Sequence, residues 1–162
     1  MKSSLISDLD IYPAESPTHI EQARELFREY AQSLGFSLCF QSFDQELAEL
    51  PGKYAPPDGC LLLAEHKGEL AGCVALRKLD SSTCEMKRLY VRPTFRGKGF
   101  GYLLANEIIS RARAAGYRRM RLDTVEPVMR AAVGMYRQFG FREIEPYTNN
   151  PMKGTLYMEL VL

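Results

Sequence analysis

The chain has 162 residues, 46% hydrophobic and 25% charged, with a formal net charge of +1. These values suit one globular domain with its own core, and no apolar run approaches the ~20 residues of a transmembrane helix. The N-terminus, MKSSLISDLDIYP, carries acids early and has no long apolar region, so it does not read as a secretory signal.

In chain order, residues 5–12 alternate weakly and stop at Pro13, which predicts a first strand. Ser16 then offers an N-cap and Pro17 the first helical position. Ile20, Ala23, Phe27, Tyr30, Ala31 and Leu34 follow at helical spacing, and Gly35 is placed to close the helix. A second short helix is expected over 43–50, with Ser42 or Asp44 near its start, followed by a Pro/Gly-rich loop over 51–59. Residues 60–64 (CLLLA) form an apolar run of strand length, and 66–69 (HKGE) a hairpin connection to a strand over 70–79.

The next strand spans 83–91, and its apolar phase slips partway. Met86 shares a face with Arg88 and Tyr90, whereas Leu89 and Val91 lie on the other. A β-bulge near 87–89 would restore one continuous apolar face. Phe100, Leu103, Leu104, Ile108, Ala112 and Ala115 make a helical stripe ended by Gly116, and 117–124 alternate as a strand. Pro127 is expected in the first turn of a last helix whose apolar face is Val128, Ala132, Met135, Tyr136 and Phe139, closed by Gly140. A short strand over 141–144, a loop over 147–154 and a final strand carrying Leu156, Met158 and Leu160 complete the chain. This order predicts a mixed α/β domain with an antiparallel meander in the middle and a parallel, right-handed βαβ unit after it.

Charge is unevenly distributed. Residues 1–86 carry a net −7, and residues 87–121 a net +9. The basic stretch contains the turn Arg96-Gly97-Lys98-Gly99-Phe100-Gly101, between a strand and a helix. Glycines there let the backbone approach a ligand closely, and the helix N-terminus with two cations suits an anion. The glycine spacing departs from the dinucleotide pattern, and the P-loop pattern is absent. Cys39, Cys60, Cys73 and Cys84 lack metal-ligand spacing and the chain has two histidines, so free thiols in a reducing cytosol are expected rather than a metal site.

The turn matches [Q/R]-x-x-G-x-[G/A] and so resembles the signature of the GNAT superfamily of acyl-CoA-dependent N-acetyltransferases. The strand 85–91 (EMKRLYV) is similar to that family's central strand, and 132–141 (AVGMYRQFGF) to its A-x-x-x-Y-x-x-x-G-F region. The likeness covers residues 8–162 as a single N-acetyltransferase domain. It implies a central mixed sheet flanked by helices, with a splayed central strand. It further implies acetyl-CoA as cosubstrate, its pantetheine arm along Leu89, Tyr90 and Val91. Its pyrophosphate would lie on Arg96, Gly97, Lys98, Gly99, Phe100 and Gly101.

The same resemblance makes Tyr136 the phenol that protonates or hydrogen-bonds the departing thiolate, and Glu85 a general base, for which a pKa raised by burial would suit. Asp123 and Glu126 are rival acids. Met129 stands where the family often has an Asn that bonds the cofactor. The implied reaction is direct attack by a primary amine of a small molecule or protein on acetyl-CoA. A non-catalytic coenzyme A-binding sensor is the alternative within the fold. No metal, nucleic-acid or membrane partner is expected, since the basic stretch lacks a helix-turn-helix or aromatic RNA-binding pattern. A cytoplasmic protein is expected, and homodimerisation is common in the family. The acidic N-terminal half would favour a cationic acceptor, with Tyr30, Phe36, Phe40, Tyr54 and Tyr147 as candidate pocket residues.

Overall fold

Ser16 starts the first helix as its side chain accepts a hydrogen bond from the His19 amide at 3.1 Å, with Pro17 behind it. Gly35, at φ 76°, ends it in the left-handed conformation that glycine adopts without strain. The computed structural model describes residues 8–38 and 42–162, so the expected strand residues 5–7 and the side chains of Cys39 and Phe40 lie outside the described residues. Its elements are β1 (Leu9–Pro13), α1 (Pro17–Leu34), α2 (Phe43–Glu49), β2 (Cys60–His66), β3 (Glu69–Lys78) and β4 (Thr83–Val91). Then come α3 (Phe100–Ala114), β5 (Arg119–Val125), α4 (Arg130–Phe139), β6 (Arg142–Ile144) and β7 (Thr155–Val161).

The strands form one mixed sheet in the order β1-β2-β3-β4-β5-β7-β6. β4 and β5 run parallel, joined through α3 as the βαβ pattern requires, and the other neighbours are antiparallel. Each sheet face has its own core. One face packs Leu62, Val74 and Met86 against Leu104, Ile108 and Ile109 of α3, with Tyr136 of α4. The other packs Leu61, Leu63 and Cys73 against Leu26 and Phe27 of α1 and Phe43 of α2.

α4 begins at Arg130, later than Pro127. The amides of Val128 and Met129 both bond the carbonyl of Val125, so 125–129 closes on itself as a turn before the helix starts. Val128 is accordingly 47% exposed, not part of the apolar face expected for it.

The bulge in β4 is present. Between the pairs Ala75–Lys87 and Cys73–Tyr90, β3 advances two residues while β4 advances three. Arg88 carries the extra step at φ 61°, in the left-handed region that side chains avoid. As a result Cys84, Met86, Leu89 and Val91 all reach the α3 core, while Tyr90 belongs to the core under α1. Arg88 is 3% exposed and donates from Nε and Nη2 to the two carboxylate oxygens of Glu46 on α2, at 2.9 and 2.8 Å. Its guanidinium also lies over the ring of Phe43 at 5.2 Å. The residue that strains the strand thus ties it to α2.

Removing one partner of a buried ion pair leaves an uncompensated charge, which costs about 3–5 kcal/mol. Arg88→Met is expected to lose stability near the lower end of that range, ~3 kcal/mol, because Glu46 retains some contact with water. Urea denaturation checks this, and Arg88→Met/Glu46→Leu should recover most of the loss.

Candidate active site

β4 and β5 pair only at Thr83–Arg119, Cys84–Met120 and Glu85–Arg121. Beyond Glu85 they part, although β4 stays paired with β3 to Val91 and β5 with β7 to Val125. The gap opens a cavity of about 360 Å³, whose walls include Leu89, Tyr90, Val91, Val125, Met129 and Tyr136. The strand edge facing this gap lacks a β-neighbour and offers backbone groups to an extended ligand.

At the far end of β4 lies the glycine turn. Gly97 and Gly99 stand at φ 80° and 83°, and a Cβ added at either would meet nothing within 4 Å. Gly99 is the N-cap of α3, with no side chain capping the helix, so the first-turn amides and the positive end of the helix dipole are left for an anion. Phe100 holds the turn down, buried at 1% exposure against His66, while Lys98 is exposed. Arg96 donates from Nε to the carbonyl of Val91 at 2.8 Å and lies over the Tyr90 ring, at the cavity wall. Behind it, Arg92 fastens the end of β4 to α1 through Glu29 at 2.8 Å and through Glu25.

Tyr136 projects from α4 into the same cavity and is 7% exposed. Its ring packs on Phe141, and its hydroxyl has no hydrogen-bond acceptor among the described residues. Burial pushes the phenol pKa above its ordinary value, so it remains a proton-bearing donor at any working pH. Met129 is turned to Thr124, whose hydroxyl donates to its sulfur at 3.2 Å.

Glu85 lies at the point where the strands divide. It is 1% exposed, and both carboxylate oxygens are engaged: Oε1 accepts from Arg77 Nε at 2.7 Å and Oε2 from the Tyr147 hydroxyl at 2.6 Å. Burial acts to raise its pKa, but Lys87, Arg77 and the Tyr147 hydrogen bond together outweigh it and hold the carboxyl below the usual range. A raised pKa would suit a base, whereas Glu85 is ionised near neutrality and binds protons weakly. Tyr147 is shifted the opposite way, by its own burial and by Glu85.

A second cavity of about 360 Å³ adjoins this carboxylate, walled by Glu46, Lys53, Tyr54, Arg77, Glu85 and Asn149 among others. Lys87 and Asp123 line both cavities and so mark their junction. Asp123 accepts from Asn150 Nδ2 at 3.0 Å. Lys87 has its pKa lowered by burial and by Arg88. Glu126 lines neither cavity. Of the expected pocket residues, Tyr54 lines the second cavity, Tyr30 and Phe36 line the first, and Tyr147 acts through Glu85.

The partners Arg77, Asn150 and Lys87 were not among the residues anticipated. Arg77 had a usable signal: in a hairpin turning at 80–82, residue 77 falls opposite 85, as the register shows. Asn150 had none, since its loop is placed only by the folded sheet.

The sequence model of the GNAT acetyltransferase family matches residues 20–141. An uncharacterized N-acetyltransferase of Schizosaccharomyces pombe is 42% identical over 156 residues, 95% of each chain. Among solved structures, an acetyltransferase of Streptococcus agalactiae superposes with a TM-score of 0.76 at 23% identity, covering 96% of this chain and 99% of that one. A GNAT family acetyltransferase of Elizabethkingia anophelis, solved with acetyl-CoA bound, gives 0.69 at 21% identity, with the same coverage. At those identities the structural likeness speaks to the fold.

A carboxyl held below its unfolded pKa of about 4.3 stabilises the fold above that pH, and the contribution is lost as pH falls through the folded value. Charge-assisted hydrogen bonds contribute about 1.5–3 kcal/mol, so Glu85→Gln is expected to lose ~2 kcal/mol at pH 7. Urea denaturation across pH should show that deficit constant above about pH 5 and shrinking below about pH 4.

Proposed function

The chain belongs to the GNAT family of acetyltransferases, and on that premise we propose that it transfers the acetyl group of acetyl-CoA to a primary amine by direct attack. The observation that carries this reading is the gap between β4 and β5. It has an anion cradle at one end and meets a second, polar cavity at Lys87 and Asp123.

The chemistry of the donor set fits the coenzyme. The turn amides at 96–101, with Arg96 and Lys98 beside them, suit a pyrophosphate. The edge of β4 at Leu89, Tyr90 and Val91 suits the amide-bearing pantetheine arm, which adds to the sheet as a strand would. The acetyl thioester then lies toward the junction, where a neutral amine from the second cavity attacks its carbonyl carbon. As the tetrahedral adduct collapses, the C–S bond breaks and the electron pair leaves on sulfur. Tyr136 donates its O–H to that sulfur. Asp123 accepts a hydrogen bond from the attacking amine, directs its lone pair at the thioester and takes the proton that the nitrogen sheds as the amide forms; water carries that proton away and returns one to Tyr136. Glu85, ionised and clamped, fixes Arg77 and Tyr147 around the acceptor; its weak hold on protons makes it an organiser of the site more than a base.

Acetyl-CoA at a hundred times its Kd is expected to stabilise the protein by about 2.7 kcal/mol, read as a rise in Tm. Gly99→Val should abolish that rise while leaving a folded protein, because a β-branched residue disfavours φ 83° and its side chain projects into the space of the pyrophosphate. Retention of the full shift by the variant would remove the turn from the donor site.

General acid assistance contributes ~10²–10⁴ in rate. Tyr136→Phe is expected to lower kcat for thiol release by ~10²-fold while changing the Kd of acetyl-CoA less than about threefold. Unchanged turnover in the variant would exclude Tyr136 from the chemistry. Thiol release absent with every amine, in a protein that still binds acetyl-CoA, would point to a coenzyme-binding module without turnover.

A further inference from the structure

Several acids of the N-terminal half are already engaged by the protein. Both oxygens of Glu46 accept from Arg88, and both oxygens of Glu85 accept from Arg77 and Tyr147. Glu25 and Glu29 hold Arg92. At the cavity rim, Glu49 accepts from Gln45. Glu46 and Glu85, acids in the wall of the second cavity, thus have their cations already.

Arg77 is differently placed. Its Nε is engaged by Glu85, but Nη1 and Nη2 have no acceptor among the described residues. Its side chain is 27% exposed, against 2% for that of Glu85, and it forms part of the wall of the second cavity. A guanidinium is a rigid planar fork. The bond through Nε fixes its plane and leaves the end-on pair of N–H groups, the edge that receives a carboxylate with two parallel hydrogen bonds. Lys53 adds positive charge to the same cavity. At about 360 Å³ the cavity is near the lower end of the ~300–1,000 Å³ typical of small-molecule sites.

We infer that the acceptor is a small amine bearing its own carboxylate, of amino-acid size, with the carboxylate on the Nη edge of Arg77 and the amine at Asp123. This rests on the acetyl-transfer reading above and assigns its substrate class. The junction with the donor carries Asp123 beside Lys87, so the open Nη edge of Arg77, with Lys53 in the same wall, is what sets the orientation. A zwitterionic amine whose carboxylate takes that edge has its nucleophile toward Asp123 and the thioester.

The test is thiol release from acetyl-CoA with matched sets of acceptors: an amino acid, its carboxamide, and the amine lacking the carboxyl group, across acidic, polar and apolar side chains. The amino acid of at least one set should show a kcat/KM ~10–100-fold above its two counterparts. Arg77→Gln should raise the KM of that amino acid by a similar factor and erase the preference, with the acetyl-CoA Kd unchanged. Because Arg77→Gln uncovers the Glu85 carboxylate, Arg77→Gln/Glu85→Gln provides a second variant that leaves no buried charge unpaired, and the wild-type comparison stands without either. Carboxamides, polyamines or peptide amines acetylated as well as every free amino acid would overturn the inference while leaving the transferase reading intact. Silence with every amine despite acetyl-CoA binding would overturn both.

Discussion

The site depends on one extra residue in β4. Arg88, at φ 61°, accepts a conformation that costs an L-residue of its kind roughly 1–2 kcal/mol. The buried ion pair with Glu46 and the packing on Phe43 offset that strain and hold the bulge in one place. Without the inserted step, alternation would carry Leu89 and Val91 to the polar side and Tyr90 into the α3 core. With it, the strand keeps an apolar face against α3 along its whole length. Its other face is then free to carry Glu85, Lys87 and Arg88 toward α2. The parting of β4 from β5 begins at Glu85, just before this step, so the strained segment forms one lip of the cleft.

The charges follow from that geometry. A sheet face carrying Arg77, Glu85, Lys87, Arg121 and Asp123 is costly to cover unless its ions are paired. Arg121 pairs with Glu159 at 2.8 Å, Arg77 with Glu85, and Arg88 with Glu46. The loop between β6 and β7 is held over this face by two side chains, Tyr147 on Glu85 and Asn150 on Asp123. The carboxylates at the parting of the strands are therefore also those that fix the loop. Loss of either is expected to loosen the second cavity before it alters the cleft between β4 and β5.

Much of the fold was legible in the sequence because its signals are local. Ser16, Pro17 and Gly35 bound α1, the glycine turn starts α3, and the phase slip at 87–89 locates the bulge. The start of α4 was misplaced because Pro127 suits a helix N-terminus and a tight turn equally, and the Val125 carbonyl decides for the turn. The site was less legible for a different reason. Whether Glu85 gains or loses proton affinity depends on how the fold sets Lys87 and Arg77 beside it and brings Tyr147, 62 residues away, onto its carboxylate. Whether the acids of the first half attract a ligand depends on partners such as Arg88, 42 residues from Glu46. Composition counts charges; only the fold shows which of them are engaged.

The same distinction bears on how Tyr136 acts. Tyrosine and an aliphatic thiol begin at pKa values of about 10 and 8.5. Burial raises both, since each anion loses water, so their ordinary values do not by themselves decide which atom holds a shared proton. The fully buried Cys73 thiol, pushed upward like the Tyr136 phenol, illustrates the common direction. In the proposed reaction, Tyr136 stabilises the developing thiolate through a hydrogen bond from its hydroxyl. The dipole of that bond acts in a low-dielectric setting where it is worth more than in water. The phenol stays protonated through the working pH range, so it adds no ionisation of its own to a pH–rate profile.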